Sequence, residues 1–216
     1  MIKHAALLLA TVACAAFSTL AHAESNVVTT GNAAAHLDFK VTIPAVLFLR
    51  VGTGALPTAM ANNTTIDLID FTVPSANVGD GTSIAASATA GDLTNGAVTV
   101  RVYGNGGNGA TLNSTTTGQL TSAAGDTIPW TQITATAAAL TATTAGYTNT
   151  GITHPTFNNG ASGGSGTATA LTGAGKLVRA ESKWTFAYNN TAVYPAGTYG
   201  GANTQNGRVT YTLSQP

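Results

Sequence analysis

Cysteine is nearly missing from these 216 residues, with Cys14 the single example. Charge is scarce too: only 7% of positions are Asp, Glu, Lys or Arg, against about 25% in an ordinary soluble domain. The eight basic residues equal the eight acidic ones, so the formal charge is zero. A chain this neutral has no basic face with which to neutralise phosphates, which excludes a nucleic-acid binder. It also argues against a polybasic membrane-surface protein. Aromatic residues make up 6%. After the first two dozen residues there is no apolar run near the ~20 residues that a spanning helix needs. What the chain does have is threonine, 39 residues in all, whose β-branched side chain suits a pleated sheet. Hydrophobic content of 44% is too high for a disordered polar chain, even with 25 glycines.

The first residues read as an address. Lys3 and His4 precede an apolar run from Ala5 to Phe17, and Ala21-His22-Ala23 supplies an A-x-A site. That is the pattern of a secretory signal peptide over residues 1–23, cleaved after Ala23, and too short for a membrane anchor. A lipoprotein cut before Cys14 is the alternative, although it would leave a very short apolar stretch ahead of it. With the cut after Ala23, the exported chain from Glu24 holds no cysteine and forms no disulfide or metal–thiolate site.

The remainder alternates with period two, the signature of half-buried strands, and shows no sustained helical period. Strands are expected at Val46–Val51, Ile66–Val73, Val98–Val102, Ile128–Thr136, Lys183–Tyr188 and Arg208–Leu213. Trp130 and Trp184 are expected in the core. Turn signals separate these runs at Gly79-Asp80-Gly81, Asn95-Gly96, Asn158-Asn159-Gly160 and Asn206-Gly207. Residues 132–148 are ambiguous, with a short helix conceivable around Ala137–Leu140, and 160–175 read as a flexible Gly/Ser/Thr surface loop. The expectation is one antiparallel β-sandwich domain over residues 24–216, with an N-terminal extension at 24–36.

Catalytic motifs fail on context. Gly104 to Gly109 satisfies G-x-G-x-x-G, but the β-rich Thr111–Thr117 follows where a dinucleotide site needs a helix N-terminus. A glycine hairpin loop is the simpler reading. Gly160-Ala161-Ser162-Gly163-Gly164 fits G-x-S-x-G but sits in low-complexity sequence, not on a strand–turn–helix elbow. His36 and His154, the only histidines after the leader, read as surface side chains. The acids Asp67 and Asp70 are three apart and so face opposite ways on a strand. No calcium loop and no H-E-x-x-H helix is present. The expectation is no catalytic residue, no metal and no cofactor. Asn63, Asn113 and Asn189 match the glycosylation sequon, as chance predicts in so Asn- and Thr-rich a chain.

One feature points to assembly. Val27, Ala33, Ala35, Leu37, Phe39, Val41 and Ile43 all fall on odd positions. Seventeen extended residues would span ~55 Å, well past the usual ~20 Å strand. Either two strands break at Thr29–Asn32, or this piece completes the sheet of a neighbouring subunit by β-augmentation. A locally packed N-terminus is the plain alternative.

The run Leu37-Asp38-Phe39-Lys40-Val41-Thr42-Ile43-Pro44-Ala45-Val46, the Pro195–Gly200 segment and the closing Gly207–Leu213 alternation together resemble bacterial fimbrial subunits, the alpha-type pilins. The likeness covers about a quarter of the chain. It implies an immunoglobulin-like subunit exported to the periplasm and completed there by strand exchange. Other copies or related subunits, and a periplasmic chaperone, are then the partners, and the cell surface or the extracellular space is the destination. The alternative is a secreted carbohydrate- or surface-binding module presenting Tyr103, Trp130, Tyr147, Tyr194 or Tyr199. The longer Gly/Thr-rich middle departs from the pilin pattern.

Overall fold

The computed structural model describes residues 24–54 and 60–215. The leader expected at 1–23, with Cys14, lies outside them. Of these, residues 24–43 and residues from Pro44 onward belong to two compact units.

The larger unit is nearly all β. Its strands are β1 (Leu47–Val51), β2 (Ile84–Ala85), β3 (Ala97–Gly104), β4 (Gly109–Thr116), β5 (Leu120–Thr121) and β6 (Thr127–Ile128), then β7 (Ile133–Ala138), β8 (Gly164–Ser165), β9 (Thr169–Thr172), β10 (Val178–Tyr188) and β11 (Thr210–Ser214). Two single 3-10 turns, Ser75–Asn77 and Trp130–Gln132, are the helical content of the described residues. Every strand pairing is antiparallel.

One sheet is built on β10. Its residues 178–185 pair with β3, which in turn pairs with β1. Residues 183–188 pair on the other flank with β7. A strand residue has only two flanks, so β7 lies across β10 from β3, and β1 and β7 bound the sheet. The second sheet is centred on β4, with β11 on one flank and the short β8 and β9 on the other.

The core lies between these sheets and explains the alternation. Val98, Val100 and Val102 of β3 and Trp184 and Phe186 of β10 meet Ala110 and Leu112 of β4. Burying each large side chain contributes roughly 1.5–3 kcal/mol, which favours the pairing that sends even positions of β3 and β10 inward. Trp184 is fully buried, and its indole N–H donates to the Ile152 carbonyl at 2.6 Å. A smaller cluster of Ile84, Ile128 and Tyr188 collects Tyr194 and Tyr199 from the late loops.

Several sequence expectations need correction. Ile66–Val73 forms no ladder. It is extended, with Ile69, Phe71 and Val73 turned to the core, and one backbone bond from Ser87 N–H to the Asp70 carbonyl (2.9 Å). The run at 128–136 is broken because Pro129 has no N–H for a ladder and Trp130 begins a 3-10 turn. Ala137 and Ala138 close the strand β7 rather than starting a helix, as β-branched Thr134 and Thr136 favour. The presumed loop at 160–175 contains β8 and β9, bonded to β4. The glycine segment at 105–108 is not a hairpin: β3 and β4 belong to different sheets, and the loop crosses between them. By contrast, the Asn95-Gly96 turn forms as expected, with φ of +50° and +74°. A Cβ on Gly96 would stand 2.6 Å from the Ala86 methyl carbon, so glycine is required there.

Candidate assembly interface

The N-terminal unit keeps its apolar face in water. Val27 is 93% exposed, Leu37 70%, Phe39 87%, Val41 83% and Ile43 77%, and Ala33 and Ala35 are exposed as well. Among the described residues, 24–46 enter no ladder. His36 pairs with Glu24 inside this segment, Nδ1 to Oε2 at 2.5 Å, and both side chains are exposed. The chain bends at residues 29–31, where Gly31 has a φ of +89°, and the His36–Glu24 contact folds the segment back, so Val27 lies on the far side of this bend from Leu37, Phe39, Val41 and Ile43, which alternate with Asp38, Lys40 and Thr42.

The larger unit has an open sheet edge with a cleft beside it. The β7 strand pairs with β10 on one flank only, among the described residues, so the backbone groups of its other flank form an open edge. Beside that edge runs a cleft of about 340 Å³. One wall is the inward row Ile133, Ala135 and Ala137; the other is Thr153, His154, Thr156 and Phe157. Trp130 and Thr131 complete the lining. The second wall is fastened to the β4 sheet: Thr156 N–H donates to the Thr167 carbonyl (3.1 Å), and the Ser114 hydroxyl donates to the Thr156 carbonyl (2.7 Å). The cleft is thus the seam where the two sheets part.

His154 is at the base of this seam, not at the surface as its place before Pro155 suggested. Its ring packs edge-on against Phe157, Trp184, Phe186 and Tyr211, with centroids 4.6–5.6 Å away. Nε2 lies 2.7 Å from the Tyr211 hydroxyl. Burial among these rings lowers its pKa to about 4, with a smaller opposing effect from a backbone hydrogen bond at Pro155, so it is neutral at pH 7. The same burial pushes the Tyr211 phenol upward. A sequence signal did exist: Ile152 and His154 are two apart, on one face of an extended segment.

Glu181 is the second residue that sequence reasoning passed over. It is fully buried, pairs with Arg101 (Oε2 to Nε, 2.9 Å) and accepts the Thr144 N–H (2.6 Å). Burial alone would raise its pKa, but the bonds from Arg101 and Thr144 outweigh it and lower it. Nearby, the Tyr147 hydroxyl is buried and has no hydrogen-bond partner among the described residues. Held by the Arg101 guanidinium and by Thr144, this carboxylate fastens the 144–148 loop to the sheet.

The catalytic look-alikes have the wrong surroundings. Gly109 opens β4 instead of a helix, and Asn105 is occupied by the Val46 N–H and the Pro44 carbonyl. Ser162 is exposed in a turn that leads into β8. Among the described residues no three His, Cys, Asp or Glu side chains are grouped to hold a metal. No described helix is long and apolar enough to cross a membrane. Of the aromatics proposed as a sugar platform, Trp130 is buried, and Tyr103, Tyr147, Tyr194 and Tyr199 are half-buried. The Tyr199 hydroxyl donates to the Pro195 carbonyl.

The chain matches no protein-family model, no curated protein and no solved structure.

Proposed function

We propose that this chain is an exported, pilin-like structural subunit of a cell-surface or extracellular fibre, with an immunoglobulin-like larger unit. Subunits join by β-strand addition, and the residues carrying the joint are Val27, Ala33, Ala35, Leu37, Phe39, Val41 and Ile43. In this reading residues 1–23 direct export and are removed. The chain then meets its partners, which are other copies or related subunits, in the periplasm. A chaperone covers the apolar stripe until a neighbour does, because an exposed edge-pairing segment otherwise aggregates.

A single observation supports this most: an apolar stripe with strand periodicity, solvated along its length and without a ladder of its own. Each of Val27, Leu37, Phe39, Val41 and Ile43 forgoes up to roughly 1.5–3 kcal/mol of burial in the lone chain, a free energy that association recovers. Main-chain hydrogen bonds would add affinity, and the alternate side chains selectivity.

The test compares the chain from Glu24 with one starting at Pro44, by analytical ultracentrifugation and electron microscopy. The longer protein is expected to form oligomers or fibres, and the shorter one to remain a folded monomer. Equal assembly of both, or a strictly monomeric longer chain, would overturn the reading.

A further inference from the structure

We propose that residues 152–154 form an acid-operated latch: when His154 takes up a proton, its ring leaves the aromatic enclosure for the cleft and Ile152 lets go of Trp184. The latch goes beyond strand addition and does not depend on it.

The enclosure admits only the neutral ring. Of the titratable groups on the elements packed against His154, Tyr211 of β11 is the one that faces it. On β10, Arg179, Glu181 and Lys183 take the odd positions, away from the inward Trp184 and Phe186, and Glu181 is held by Arg101 and Thr144. Tyr188 of the same strand belongs to the separate cluster of Ile84 and Ile128. β4, β7, the turn at 130–132 and residues 167–172 contain no titratable side chain. An imidazolium in this place would be a buried charge without a counter-charge, which is costly. The hydrogen bonds also suit the neutral form. Proline has no N–H, so the backbone bond at Pro155 places the imidazole proton on a carbonyl, and Nε2 accepts the Tyr211 hydroxyl. Burial keeps that phenol protonated. A second ring proton would set a donor against a donor.

The segment is also built to move at this place. Gly151, with a φ of +93°, stands at one end as a hinge able to absorb a backbone change. At the other end Pro155 is fully buried, and Thr156 is bonded to Thr167 and Ser114, which anchors the chain there. Between hinge and anchor, the bonds that hold the latch are those from the Trp184 indole to the Ile152 carbonyl and from the exposed Thr169 hydroxyl to the Thr153 carbonyl (3.0 Å). Among the described residues no hydrogen bond joins 152–154 to β7, and the His154 ring already lines the cleft. Folded His154 titrates at about 4, and freed into the cleft it titrates near the ordinary 6.5. The open form therefore binds the proton more readily. Acid raises the ratio of open to closed latch about 20-fold between pH 7 and 5, and about 120-fold between pH 7 and 4.

The two tryptophans supply both the probe and its control. The Trp184 indole N–H donates to Ile152 on the latch, whereas the Trp130 indole N–H donates to the Gly118 carbonyl, away from it (2.6 Å each). Hydrogen exchange of both indole protons is followed by NMR in the full chain from Glu24 at pH 7, 5 and 4, and corrected for the intrinsic pH dependence of indole exchange. The Trp184 proton is expected to lose protection by the two factors above, and the Trp130 proton by less than about threefold. In His154→Gln the acid loss at Trp184 should disappear, while Glu181 and the other carboxylates still titrate. Two outcomes in the native chain overturn the latch without need of the variant. One is an equal loss of protection at both indoles, which means that acid acts through global unfolding. The other is a His154 ring signal that titrates at the ordinary 6.5, which places the ring in water from the start. An acid loss at Trp184 that persists in a folded His154→Gln protein would overturn it as well.

Discussion

Residues 37–43 and the strand β10 carry the same sequence rhythm and end in opposite environments. In β10, Trp184, Phe186 and Tyr188 alternate with Lys183, Thr185 and Ala187, and the apolar members are buried between two sheets. In the N-terminal segment, Leu37, Phe39, Val41 and Ile43 alternate with Asp38, Lys40 and Thr42, and the apolar members are solvated. Alternation thus specifies that one face seeks cover, and leaves open who provides it. For β10 the cover is β4 of the same chain; for residues 37–43 the proposed assembly assigns it to another subunit.

The largest effect should come from removing the best-covered member of the pair. Trp184→Ala deletes a fully buried indole and its bond to Ile152, and should cost about 3–5 kcal/mol in urea unfolding of the chain from Pro44. A loss under about 1 kcal/mol would mean that the core is not organised around this strand.

Next comes the histidine at the seam. Folded His154 titrates at about 4, while in the unfolded chain it would titrate near 6.5. Below pH 6.5 the unfolded state gains a proton that the folded state refuses, so stability is complete above that pH and declines as the pH falls toward 4. The total is about 3 kcal/mol at the rate of ~1.4 kcal/mol per pKa unit. Urea midpoints at pH 7.5, 6 and 5 should fall for the native chain, and the fall should be much shallower for His154→Gln. Parallel pH profiles would place this side chain in solvent. Loss of the Glu181–Arg101 pair belongs to a lower window, because the Glu181 pKa is depressed below the ordinary 4.5.

The smallest effect on the lone chain completes the comparison. Phe39→Ala should change monomer stability by less than about 0.5 kcal/mol, since the ring is exposed, yet should weaken assembly measured by sedimentation velocity. A destabilised monomer would show that the ring is covered within its own chain.

Much of the larger unit was legible in the sequence. The strands β1, β3, β10 and β11, the buried Trp130 and Trp184 and the Asn-Gly turn at 95–96 follow from period two and left-handed backbone preferences. The misread parts share a cause. Whether Ile66–Val73 enters a ladder, or β8 and β9 form in a glycine-rich stretch, depends on a partner strand far away in the chain. The apolar stripe was readable, since it is written in consecutive residues. The cleft was not, because β7 and residues 152–157 converge only when the sheets stack. His154 shows the same gap: adjacent Pro155 suggested a surface turn, and four rings from three other places in the chain enclose it.

The amino-acid order alone determined that this neutral, threonine-rich chain builds strands, and which face of each would be apolar. These are consequences of local sterics and of side chains two residues apart. Which strand became an edge, where the sheets parted and what the histidine met were decided by the tertiary structure. Pairing and burial join residues dozens of positions apart, and no local preference encodes that distance.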